Sequence, residues 1–379
     1  MVCRDLASHL HGLEEEAMKV AVLGGGAGGA AAVAELTRAG HTVSYWARSE
    51  STLAPFLELG GIAYNGVLGT GIARPRTITS NLGAAIKDCE VALVTLPTFS
   101  HAPMAKALAE AGWPADRLVV LNPGHTGGAL EFAHAFETAG RTAPPVVEFS
   151  TLTYVARKLK PDEVTVTGRA GQVRAAVLGG NESHLTTATM LFPGASPVGD
   201  VLASDLCNVN MVLHTPGAVL GVAWVEATKG DFTFYVDAMT DGVARVMERL
   251  DRERLAVAAA FGHTLPNLIE EMKLIGTVEA DVTDTTDYRA AIAGGIANAK
   301  IKAPDSLEHR YYREDFGHGL LPFRELAQIA GVSVPVADAL YALAEAAVGI
   351  NYNTGGRTAE AMGIASLSKD ELTRKVSAR

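Results

Sequence analysis

Cysteine is scarce in this chain of 379 residues. The three present, Cys3, Cys89 and Cys207, form no CxxC pair and no Cys/His metal spacing. That excludes a disulfide framework, leaves no metal site to expect, and points to a reduced, cytoplasmic setting. Blocks of basic residues are also missing, and the formal net charge is −10. Such a chain repels phosphate backbones and anionic lipid, so neither nucleic acid nor a membrane is an expected partner. No run is long and apolar enough to span a bilayer. Val20–Leu36 has the apolar look of a signal peptide, but glycine interrupts it. Glu14, Glu15 and Glu16 also precede it where basic residues belong.

What is present fits two domains. Residues 1–17 read as a polar N-terminal extension, 18–203 as a dinucleotide-binding domain and 204–379 as a helical domain. In the first half, short β-branched runs (Val20–Leu23, Thr42–Trp46, Val91–Leu96, Leu118–Leu121) alternate with alanine-rich helical stretches. That alternation predicts βαβ units and a doubly wound, mostly parallel α/β sheet of the Rossmann type. Val146–Ser150, Val164–Thr167 and Val173–Leu178 read as further, antiparallel strands closing the far edge. From about Ser204 apolar residues recur at helical spacing, through Asn210–Val225, Phe234–Leu250, Leu255–Phe261, Phe323–Ile329 and Val336–Val348. The second domain is therefore expected to be all-α and to hold the substrate. Its Ala-rich helices would serve equally for a homodimer face or for core.

The loop Gly24-Gly-Gly26-Ala27-Gly28-Gly29 follows a strand and opens a helix. In this GxGxxG pattern Gly24 permits a tight turn, Gly26 lets backbone approach a pyrophosphate, and Gly29 allows close helix–strand packing. The helix N-terminus then offers unpaired N–H groups to the phosphates. After the second strand comes Trp46-Ala47-Arg48-Ser49, with no carboxylate until Glu50. Arg48 and Ser49 suit an adenosine 2′-phosphate, so NADP(H) is favoured over NAD(H). Pro97 ends the Val91–Leu96 strand, and the turn Asn122-Pro-Gly-His-Thr126-Gly-Gly128 follows the next one. Both turns are placed to border a cofactor.

Two clusters carry candidate chemistry. Asn210 and His214 lie four apart and share a helix face, with Pro216 expected to bend the helix just beyond. In His309-Arg310-Tyr311-Tyr312-Arg313-Glu314-Asp315, Arg310 suits a carboxylate clamp and Asp315 could orient an imidazole. The same segment also reads as a solvated helix. Tyr311, Tyr312, Arg313 and Trp224 are available to a substrate pocket or to plain packing.

Together VLGGGAGG, NPGHTGGALEF (Asn122–Phe132), NVNMVLHTP (Asn208–Pro216) and HRYYREDFGHGL (His309–Leu320) resemble the opine dehydrogenase family. The resemblance covers the chain from about Met18. It places the catalytic histidine on His214, its partner aspartate on Asp315 and the carboxylate-binding arginine on Arg310, with Asn210 and Thr151 as further substrate-side candidates. It departs at Ala27, where the family often has Asn, and at Ala297–Leu307, which lacks an expected aromatic residue. The activity it implies is reductive condensation of a 2-oxo acid with the amino group of an amino acid or other amine. The alternatives are a simple oxo-acid reductase of the ketopantoate reductase type, for which Lys229 is the available lysine, and a non-catalytic NADP sensor.

Overall fold

The computed structural model describes residues 17–377. Of the expected N-terminal extension, residues 1–16 lie outside them. The strands are β1 (Lys19–Leu23), β2 (Thr42–Trp46), β3 (Ile62–Gly66), β4 (Gly71–Ala73), β5 (Thr77–Thr79) and β6 (Val91–Val94). They continue as β7 (Leu118–Leu121), β8 (Val146–Phe149), β9 (Tyr154–Lys160), β10 (Glu163–Arg169), β11 (Val173–Leu178) and β12 (Ala195–Pro197). Eight form one sheet in the order β12-β11-β8-β7-β6-β1-β2-β5, and the other four form a second sheet, β4-β3-β10-β9.

The order reverses between β1 and β6, which pair parallel, and in such sheets the crevice for a ligand lies at this switch point, outside the carboxyl ends of the strands. β1, β6 and β7 are buried on both faces, which is why they read as unbroken apolar runs. One face (Ala21, Leu23, Val94, Leu121) joins the core of the helical half. The other face packs on helix Ala27–Arg38 and the second sheet. Ala30, Ala31, Ala32 and Ala34 of that helix are fully buried. Their small side chains let two sheets close on one helix.

Two expectations for the sheets need correction. Val164–Thr167 lies in β10, in the second sheet and not at the edge of the first. Val164 and Val166 alternate inward while their neighbours face out, so β10 covers the helix as a one-sided layer. β8 runs parallel to β7, and the reversal falls one strand later, between β8 and β11. The hairpin β9–β10 intervenes there and brings the chain back in the opposite sense.

In the helical half, Asp241–Ala260 is a single helix capped by Thr240, while residues 234–240 are turns and not helix. Helix Val209–Leu220 continues through Pro216 and ends before Gly221, and the run Val201–Leu220 meets Val222–Thr228 at 67°. The helix is closely packed just past the proline, where a Cβ on Gly217 would meet the Phe234 ring at 2.9 Å. Among the described residues no single helix is long and apolar enough to cross a membrane.

Candidate active site

Gly24 has φ +144°, and a Cβ on Gly29 would sit 2.0 Å from the Gly24 carbonyl oxygen. Strand and helix touch backbone to backbone there, which only glycine allows. Nothing lies within 4 Å of the space a Gly26 Cβ would take. The helix that follows has no side-chain cap, so its first N–H groups face this open cradle. The cradle therefore fits a pyrophosphate. Ala27 and Gly28 begin the helix, and Leu152 packs over Gly28.

At the end of β2, Arg48 and Ser49 are exposed. Arg48 has no ion pair or hydrogen bond among the described residues, and the Ser49 hydroxyl is 2.6 Å from that of Ser51. Pro97 is exposed at the crevice, with the short 3-10 turn Thr98–Ser100 behind it. Thr151 lies in the bend after β8. The next turn is stapled to Asn122, whose side chain donates to Thr153 Oγ1 (2.8 Å) and accepts from the Thr153 N–H (3.1 Å).

The residues of the two sequence clusters meet. His214 Nδ1 is 2.7 Å from Asp315 Oδ2, a contact between residues 101 apart in the chain, and both side chains are buried. Burial opposes charge on Asp315, but His214 and Arg310 outweigh it and hold the carboxyl below its usual range. Asp315 ends the helix Arg310–Asp315, and a π-helical turn, Phe316–Leu320, follows directly. That turn packs tightly on the His214 helix, where a Cβ on Gly319 would come within 3.0 Å of Met211 Cβ. Arg310 is exposed and sits over the Tyr311 ring, 5.8 Å from its centroid, with no ion pair or hydrogen bond among the described residues. Asn210 Nδ2 is 3.5 Å from His125 Nε2, at the outer edge of hydrogen bonding.

Two members were not found from sequence. Tyr235 OH lies 2.7 Å from His214 Nε2 and 2.9 Å from Tyr311 OH, and Tyr311 stacks on the imidazole at 3.9 Å between centroids. The helical reading of Phe234–Leu250 hid Tyr235. In fact residues 232–234 pair with 301–303 as a short ribbon, bridged at Thr233 and Lys302. Phe232 and Phe234 lie across this ribbon from the segment Ala297–Leu307, and Tyr235 follows them directly. His125 is the second. It is buried at φ +58° in the Asn122–Gly128 turn, and burial lowers its pKa while Glu314 and Asp315 act against that.

The other named side chains have partners of their own. Tyr312 donates to Ala218 O, Arg313 pairs with Glu308, and Trp224 stacks flat on Phe232. Lys229 is an exposed helix cap at φ +55°. Glu314 reaches the other domain, where its Oε1 accepts from both the N–H and the hydroxyl of Thr98 at 2.9 Å each.

A glycine cradle at the switch point of a parallel sheet, facing a helical half that buries a His–Asp pair, defines a nicotinamide-dependent oxidoreductase. Residues 20–179 match the family model for ketopantoate reductase PanE/ApbA. Residues 197–348 match that for the alpha-helical domain of NAD/NADP octopine/nopaline dehydrogenase. Over 355 residues the chain is 32% identical to the opine dehydrogenase of Arthrobacter sp. (strain 1C), covering 93% of this chain and 97% of that protein. It also shares its fold with octopine dehydrogenase solved with NADH and L-arginine (TM-score 0.76, 21% identity, 96% and 98% of the two chains). A second likeness is to yersinopine dehydrogenase with NADP+ bound (TM-score 0.71, 14% identity, 95% and 98%). The chain belongs to the opine dehydrogenase family and is an NAD(P)-dependent oxidoreductase acting on CH–NH.

Proposed function

We propose that this enzyme joins a 2-oxo acid to the amino group of an amino acid or related amine, reduces the resulting imine, and favours NADP(H). The carrying observation is the 2.7 Å contact of His214 with Asp315, with the free Arg310 guanidinium five residues before the aspartate. Arg310 holds a substrate carboxylate through a charge-assisted fork. His214 gives and takes the protons of condensation, and the Asp315 carboxylate keeps the ring oriented and stabilises its cationic form. Asn210, Thr151 and His125 border the oxo-acid side. When bound, the reduced nicotinamide supplies the hydride. Burial of the His214 cluster keeps water from an imine that it would hydrolyse. Octopine dehydrogenase has been solved with L-arginine and with pyruvate, substrates of the kind assigned to this chain.

The test is NADPH oxidation across 2-oxo acids crossed with amino acids and other amines. Oxidation that requires both partners is expected; an equal rate with the oxo acid alone would overturn the reading. For the cofactor, Arg48→Ala should weaken NADPH binding about tenfold and leave NADH unchanged. Equal weakening of both would remove the case for NADP(H).

A further inference from the structure

His214 presents no free nitrogen. Nδ1 is taken by Asp315 and Nε2 by the Tyr235 hydroxyl, and the residue is only 3% exposed. Tyr235 in turn bonds Tyr311, so an unbroken hydrogen-bonded chain runs Asp315–His214–Tyr235–Tyr311. Tyr311 is the end nearest the exposed Arg310, whose guanidinium lies over its ring. Substrate held by Arg310 therefore meets the tyrosine end of this chain before it meets the imidazole.

We propose that Tyr235 and Tyr311 are proton-relay residues, through which His214 exchanges protons with the substrate. This rests on the oxidoreductase reading above. In the acid direction the His214 Nε2–H bond breaks as a Tyr235 O–H bond forms. The original Tyr235 O–H breaks as a Tyr311 O–H forms, and the Tyr311 proton passes to the substrate oxygen or nitrogen. Three bonds to hydrogen break and three form, His214 becomes neutral, and neither phenol is ever ionised. The base direction is the reverse. Every hydroxyl in the chain can turn its donor and acceptor sides to suit. Burial raises the pKa of both phenols and keeps them neutral, as the relay requires.

Tyr235→Phe and Tyr311→Phe keep the rings that pack around His214 and remove only the hydroxyls. In the full chain each should lower kcat by about 10²-fold with cofactor affinity unchanged. The rate measured in mixtures of light and heavy water should curve with deuterium content in the wild type, which marks several protons in flight. It should become linear in Tyr235→Phe. Wild-type kcat in both variants, or an unchanged curve, overturns the relay. A substrate-free readout stands beside it. The downfield proton spectrum should show a protected hydroxyl resonance that Tyr235→Phe abolishes while the His214–Asp315 proton stays. Absence of that hydroxyl resonance from the wild type also overturns the relay. If the wild type turns out to reduce an oxo acid without amine, the opine reading falls, and the same variants still decide the relay on that reaction.

Discussion

The phosphate cradle and the His214 cluster are built on opposite plans. The cradle is local: a few consecutive residues, lined by backbone, with glycines where a side chain would not fit. The cluster is assembled from side chains of three distant segments, around residues 214, 235 and 310–315, and almost all of it is buried. A local backbone device fails when an atom is added. A long-range polar cluster fails when a partner is removed and a buried group is left unpaired.

Substitutions at the two places should therefore break different things. His214→Ala should lower kcat by about 10²- to 10⁴-fold while cofactor affinity holds. A matching loss of cofactor affinity would merge the two regions into one. Gly29→Ala should do the converse. Its methyl group would collide with the Gly24 carbonyl, so cofactor affinity should fall about a hundredfold or more. The His214–Asp315 proton resonance should survive. Isothermal titration reads the first effect and the downfield spectrum the second.

A smaller effect belongs to the seam between the regions. Glu148 accepts from the Ala129 N–H and Asp205 from the Gly127 N–H, both at the start of helix Gly128–Thr138. Glu148 Oε1 and Asp205 Oδ2 have no hydrogen-bond partner among the described residues, and a proton shared between the carboxyls would supply one. Burial raises Asp205 to about 7 and, with Asp205 beside it, lifts Glu148 well above the carboxylate range. The folded state thus binds more protons than the unfolded chain above about pH 4. The stability this contributes is full below that value and is lost as pH rises through about 7. Glu148→Gln keeps an oxygen for Ala129 and can donate to Asp205. The decline should then flatten by about 1 kcal/mol per pH unit, measured by melts between about pH 5 and pH 8. An unchanged slope would mean that no proton is shared.

The same contrast explains what could be read in advance. The Gly24–Gly29 loop, the parallel strands and the helical second half were legible because they depend on neighbours in sequence. His214, Arg310 and Asp315 were found separately, and only the family resemblance joined them before the fold did. Tyr235 was hidden because its apolar neighbours mimic a helix, whereas residues 232–234 pair with 301–303 and the chain turns directly after them. The second sheet was missed for a related reason. Its strands are short or one-sided and are defined by the helix they cover.

One carboxylate joins the two plans. Glu314, next to Asp315 in the chain, grips Thr98 beyond the end of β6, and the same short helix thus steadies the His214–Asp315 pair and the turn proposed to border the cofactor. A ligand that favours this gripped arrangement at one place favours it at the other, and the two gains must be equal. If the proposed function holds, cofactor and substrate are then not independent tenants of the cleft, and each is expected to lengthen the residence of the other through a single carboxylate.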